Sequence, residues 1–309
     1  MATAENTISG ITTTETVNEA TRNIDELDSL GIVTLINAED KKVAEAVEAE
    51  LPKIAKAVDA AAERFKRGGR LIYCGAGTSG RLGSLDAAEL PPTYNVSPDR
   101  AFGLLAGGEG AMYRAIEGAE DSLELAEEDL RGVNLTADDC VIGIAASGRT
   151  PYTLSALNYA NRVGALSIAV TCNADCPVAE AAQISIAPVV GPEVICGSTR
   201  MKAGTAQKMV LNMISTAVMI RLGKVYQNYM VHLQPTNEKL VARSVRMISQ
   251  ITGASQDISK KMLQAAGMRV PEAIVMILAE CDCQTARDAM EGADGRVREA
   301  VELAKTALA

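Results

Sequence analysis

The sequence predicts an α/β fold: a five-stranded parallel sheet with helices on both faces, followed by a small C-terminal helical domain. Three observations predict it. Five short runs of strand type, at residues 70–74, 101–106, 139–146, 166–171 and 184–190, are separated by helical stretches. That alternation builds a parallel sheet covered on both sides. From about residue 238 the strand runs stop, and short helical periods follow, broken at Gly253, Gly267 and Gly292. The chain has 309 residues, 48% apolar and 22% charged, enough for one large domain with a core and a smaller appendage.

Taken in order, residues 1 to about 20 are rich in Thr, Glu and Asn and read as loose. Residues 24–35 form a helical lead-in. Across 40–67, apolar Val43, Val47, Leu51, Ile54, Val58 and Ala61 fall at helical period, and Gly68-Gly69 ends the run. The first strand runs into Gly75-Ala76-Gly77-Thr78-Ser79-Gly80, which opens a helix over 79–90 stopped by Pro91-Pro92. Residues 111–131 read as a helix in two pieces, broken around Gly118. The third strand ends in Ser147-Gly148-Arg149-Thr150, and Pro151 starts the next helix at a permitted first-turn position. Residues 201–222 form a long, largely buried helix. Helices at 238–250, 255–266, 271–279, 283–291 and 295–308 complete the chain.

Composition narrows the function. A net charge of -9 argues against a nucleic-acid partner or an anionic membrane surface. No run of about 20 uninterrupted apolar residues would span a membrane. With no Trp and two Phe, the core is aliphatic. Seven Cys beside a single His do not make a metal cluster, and they read as reduced thiols of a cytoplasmic protein. His232, the one histidine, reads as structural, so acid–base chemistry falls to carboxylates or lysine.

The candidate site follows from topology. In the flavodoxin-like strand order 2-1-3-4-5, the first and third strands are neighbours, and ligands bind beyond their C-terminal ends. The two glycine–hydroxyl loops, carrying Gly77, Thr78 and Ser79 and Ser147, Gly148 and Thr150, then lie side by side. Backbone N–H groups at helix starts, with added hydroxyls, make a cradle for phosphate. Gly75 to Gly80 also matches the dinucleotide pattern GxGxxG. The acidic residue that pattern needs at the end of the second strand is missing, the first one being Glu109. A phosphosugar therefore fits better than a nucleotide. Ser198 can cap the long helix, and Arg200 and Lys202 put positive charge near its start, which is unfavourable unless an anion sits there.

Glu117 and Glu120 are three residues apart and could share one helix face, with a solvated acidic surface as the alternative. Glu89 lies ten residues past Ser79. On one straight helix that is roughly 15 Å from the loop at ~1.5 Å per residue. A functional Glu89 then needs a bend at Gly83 or a neighbouring subunit's site, which favours a homodimer.

These stretches occur together in one known family. Residues 71–83, 86–94, 117–121, 144–152 and 197–208 closely resemble the bacterial N-acetylmuramic acid 6-phosphate etherases. The likeness runs over residues 30–239 and more loosely to the end of the chain. It implies an N-terminal segment with its helical lead-in over 1–45, a sugar isomerase (SIS) domain over 46–237 and a helical domain over 238–309. It implies cleavage of the D-lactyl ether of the sugar phosphate with water, in peptidoglycan recycling, with no metal or redox cofactor. The family's two catalytic glutamates fall on Glu89 and Glu120, with Glu120 assigned as the C2 base and Glu89 as the acid toward lactate, or the reverse. Gly77, Thr78, Ser79, Glu117, Ser147, Gly148, Thr150, Ser198 and Lys202 would bind substrate. The same loops resemble those of the glucokinase regulatory protein, a non-catalytic sugar-phosphate sensor, and an aldose–ketose isomerase would share the C2 deprotonation. The motif around Glu89 favours the etherase.

Overall fold

The computed structural model describes residues 13–308. Helices α1 (Ser29–Asp40), α2 (Lys42–Glu48) and α3 (Leu51–Lys66) lead into β1 (Leu71–Gly75), α4 (Gly77–Tyr94), β2 (Ala101–Leu105), α5 (Leu123–Gly132), β3 (Cys140–Ala145), α6 (Pro151–Val163), β4 (Leu166–Thr171), α7 (Pro177–Ala181), β5 (Ile184–Ile186) and α8 (Lys202–Arg221). Five more helices follow: α9 (Glu238–Thr252), α10 (Gln256–Ala265), α11 (Val270–Leu278), α12 (Cys283–Gly292) and α13 (Val297–Leu308). The described chain forms two compact units. One holds the chain up to Ala88 together with Asp99–Ser215. The other holds Glu89–Pro98 together with the chain from Thr216 on.

In the first unit the sheet has the order β2-β1-β3-β4-β5, all parallel. β1, β3 and β4 are buried along their whole length, as central strands covered on both faces must be. On one face Ile72, Cys74, Val141, Ala145 and Ala169 pack against Tyr152, Ala156, Leu157 and Ala160 of α6 and Leu130 of α5. Helix α3 covers β3, β4 and β5 on their other face. Burial pushes the Cys140 and Cys172 thiols up to about 12, so both are inert packing groups.

Five local readings need correction. The 40–67 helix is two, because Pro52 has no N–H to continue α2 and instead occupies the first turn of α3. The prolines at 91 and 92 do not stop α4, which runs to Tyr94, where Asn95 takes positive φ. They lie in its last turns, and burial of Leu90 and Tyr94 holds that end in place. β5 stops at Ile186, two residues before Pro188, which cannot donate to the ladder. Residues 111–131 contain only one true helix, α5, preceded by single 3-10 turns at Glu109–Met112 and Ala119–Asp121. The loose segment expected over 1 to about 20 falls partly outside the described residues. From Thr13 on it is tied down: the Thr13 N–H and hydroxyl donate to Asn173 Oδ1 at 3.0 and 2.7 Å, and the Thr21 hydroxyl donates to the Val194 carbonyl at 2.8 Å.

The second unit has its own aliphatic core, with Val231, Leu233, Ile248, Leu263, Val270, Ile274, Ala286 and Val301 buried. Its helices carry capping side chains, with Asn237, Ser255 and Asp282 each accepting from the N–H three residues on. His232 sits beside this core. Burial first, and then the Lys224 charge, push its imidazole down to about 4, against hydrogen bonds to the backbone of Gly295 and Gly223. The folded state keeps His232 neutral where the unfolded chain would take up a proton. Stability is therefore full above about pH 6.5 and falls as pH drops toward 4. We expect roughly 1–2 kcal/mol to be lost between about pH 7 and about pH 5. Urea unfolding at the two pH values checks it: His232→Asn should show a smaller loss than wild type, and an equal loss would reject this origin.

Candidate functional site

β1 pairs β3 in register, with Gly75 opposite Ile144. The two loops that leave these strands, 75–80 and 146–150, are thereby held side by side. In the first, the strand end and the helix start approach so closely that a Cβ on Gly75 would lie 2.9 Å from both the Gly80 N and the Ile144 carbonyl. Only glycine lets α4 begin so near β1. Gly77 is exposed, Thr78 half-buried, and Ser79 buried with its hydroxyl donating to Gln207 Oε1 at 2.9 Å. In the second loop, the Ser147 hydroxyl accepts from the Arg149 N–H at 3.3 Å, and Thr150 precedes α6 without a side-chain cap bond. The Nε of Arg149 is buried without a hydrogen-bond partner among the described residues. Gly148 has φ of +70°, and a Cβ there would overlap Cys176 Sγ.

Carboxylates inside the protein cap the start of α8 and pair the Lys202 charge there. The Glu193 side chain, fully buried, accepts from the Lys202 and Ala203 N–H groups at 3.0 and 2.9 Å, so Glu193, not Ser198, caps α8 by side chain. The Lys202 ammonium, also buried, donates to Glu39 Oε2 at 2.7 Å, and Lys42 joins the same carboxylate at 2.6 Å. Although burial opposes it, these partners together hold the Glu39 carboxyl below its ordinary range. Lys202 thus faces Glu39, and Ser198 sits in the turn just before it, with its N–H on the Ile195 carbonyl at 2.9 Å.

The glutamates are placed differently from the helix face expected of them. Gly118 takes a left-handed conformation between Glu117 and Glu120. Both glutamates are exposed, and the Glu120 turn packs against α6, the helix opened by the second loop. Arg81, at the start of the second turn of α4, donates to the Ala111 and Met112 carbonyls at 2.9–3.1 Å and so ties the first loop to the segment leading to Glu117. Glu89 is exposed on α4 and belongs to the second unit. Sequence reasoning missed Gln207, Glu193, Glu39 and the anchoring role of Arg81. Polar Gln207 in a largely buried helix was the one signal available.

Comparison with known proteins agrees with this geometry. The models of the glucokinase regulatory protein N-terminal SIS domain and of the SIS domain match residues 53–161 and 119–217. N-acetylmuramic acid 6-phosphate etherase 1 of Enterococcus faecalis is 62% identical over 287 residues, 93% of this chain and 96% of its own length. The chain belongs to the N-acetylmuramic acid 6-phosphate etherase family. Members from Clostridium beijerinckii and Lactobacillus acidophilus are 56% and 53% identical, each over 94% of this chain and over 95% and 97% of their own. Among the described residues of this etherase family member, no helix is long and apolar enough to cross a membrane.

The second loop gives a direct test of its geometry. Gly148→Ala adds a Cβ at positive φ and into Cys176 Sγ, so we expect a loss of roughly 2–4 kcal/mol in urea unfolding. A loss under about 0.5 kcal/mol, the range of an ordinary surface change, would mean the loop does not hold this conformation.

Proposed function

We propose that this chain cleaves the D-lactyl ether of N-acetylmuramic acid 6-phosphate with water, yielding N-acetylglucosamine 6-phosphate and D-lactate, as a step in amino sugar and peptidoglycan recycling. The observation that carries this reading is the juxtaposition of the two glycine–hydroxyl loops by the β1–β3 pairing, in a chain 62% identical to a protein named for that reaction. The stretch around Glu89 favours this reading over the regulator and isomerase readings.

In this reading the phosphate rests on the N–H groups of Gly77, Thr78 and Ser79 and on Ser147, Gly148 and Thr150, with the buried Nε of Arg149 close behind in the chain. Ser198 completes the pocket. Lys202 contributes through Glu39, by holding the start of α8. Glu117 binds the sugar. The anchored phosphate fixes C6 and leaves the open-chain aldehyde to acidify the C2 proton. Glu120 takes that proton, the electron pair forms the C2–C3 double bond, and the C3–O bond breaks. Glu89 protonates the departing lactate oxygen. Water then adds at C3, losing a proton to Glu89, and Glu120 returns its proton to C2. An ether oxygen is a poor leaving group, so both proton transfers are needed, and each general acid or base contributes about 10²–10⁴-fold.

We further propose a homodimer in the cytoplasm. Helix α4 runs unbroken past Glu89, which favours Glu89 serving the partner subunit's site, and seven free thiols suit a reducing compartment. Residues 46–237 would hold the sugar phosphate, between the 1–45 lead-in and the helical domain at 238–309.

Incubating the protein with N-acetylmuramic acid 6-phosphate and assaying D-lactate tests the reaction, and no lactate from folded protein would reject it. Glu89→Gln and Glu120→Gln should each abolish turnover while sugar-phosphate binding survives. Unfolded and refolded together in equal amounts, the two variants should recover about a quarter of wild-type activity if each site draws on both subunits. No recovery would put both glutamates in one chain's site.

A further inference from the structure

Gln207 lies on the second turn of α8, fully buried, and its amide is only half satisfied. Oε1 accepts the Ser79 hydroxyl at 2.9 Å, while Nε2 is buried with no partner among the described residues. The position is firmly fixed. Glu193 caps the helix start, Lys202 is paired with Glu39, and Gly204 brings α8 so near α4 that a Cβ there would touch Thr78 Cγ2 at 3.6 Å. A buried amide donor left unpaired is unfavourable, and a turn of the amide would break no bond made by Nε2.

The direction of the bond matters for a phosphate. Phosphate oxygens only accept. A serine hydroxyl has one hydrogen, and here that hydrogen points at Gln207. Turned outward alone, the hydroxyl would leave two acceptor oxygens 2.9 Å apart with no proton between them. Turning the Gln207 amide by about 180° about its last torsion removes the conflict, because that torsion is two-fold and broad. Nε2 then donates to Ser79 Oγ, and the Ser79 hydrogen is free for the phosphate. The result is a donor chain from amide to hydroxyl to anion, in which each bond polarises the next.

We propose that Gln207 is a positioning residue for the phosphate anchor: its amide turns when the sugar phosphate binds and so converts Ser79 from an inward donor into an outward one. This rests on the sugar-phosphate reading of the loops. Gln207 touches Ser79 and acts on the ligand through it.

Gln207→Glu supplies an acceptor that cannot become a donor when ionised, so it locks the Ser79 hydrogen inward. It should raise KM for N-acetylmuramic acid 6-phosphate roughly tenfold or more, the loss of one hydrogen bond to a charged group, and should raise KM more than it lowers kcat. Gln207→Met keeps the volume but leaves the hydroxyl free to rotate, so its KM should rise less than that of the Glu variant. In a Ser79→Ala background Gln207→Glu should add little further, because the hydroxyl it acts on is gone. The proposal is overturned if Glu and Met variants leave KM unchanged, or if Gln207→Glu adds the same factor with and without Ser79. Should Gln207→Glu fail to fold, Ser79→Ala against wild type still decides, since an unchanged KM there means the hydroxyl that Gln207 is proposed to turn takes no part. Calorimetry with inorganic phosphate separates the two readings. Wild type that binds phosphate but releases no lactate removes the etherase reading, and the Gln207 comparison is then made on the phosphate Kd.

Discussion

Everything at the candidate site depends on the pairing of β1 with β3. Parallel register sets Gly75 against Ile144, and the chain leaves both strands on the same side of the sheet. A glycine–hydroxyl loop follows each one. Had β2 stood between them, the loops would be two strand spacings of about 4.8 Å apart, too far to share one phosphate comfortably. The crossover through α4, β2 and α5 that allows this order is the general device by which open parallel sheets make a ligand crevice.

Behind the loops, buried carboxylates hold the helices in place. Glu193 caps α8, Glu39 pairs with Lys202, and Asp86 receives the Tyr73 hydroxyl at 2.7 Å, the Asn212 amide at 2.6 Å and the Ser215 hydroxyl at 3.1 Å. Such groups add little net stability over apolar replacements, but removing one partner of a buried pair costs about 3–5 kcal/mol. Their effect is to permit only one placement of α4 and α8, the helices that carry Ser79 and Gln207. Arg81 extends the same logic to the Glu117–Glu120 segment through two backbone carbonyls.

The sheet and both loops were legible because their signals are local: apolar runs, glycines and helix starts whose spacing fixes the topology. What the sequence hid depends on distant partners. The tail from Thr13 is anchored by Asn173, 160 residues away, and no local pattern reports that. Pro91-Pro92 reads as a helix stop, yet burial of Leu90 and Tyr94 outweighs the lost backbone bonds. Lys202 at the start of α8 reads as a sign of an external anion, whereas Glu39 supplies an internal one. Glu117 and Glu120 have helical spacing, but Gly118 takes positive φ and breaks the shared face.

The most direct measurement is a double-mutant cycle on phosphate affinity with Ser79→Ala and Ser147→Ala, using inorganic phosphate as the ligand. If the two loops hold one phosphate, the effects are coupled, with an interaction energy of about 1 kcal/mol or more. If the effects add to within about 0.3 kcal/mol, the loops act on separate groups, and a shared phosphate site at the β1–β3 crevice is contradicted.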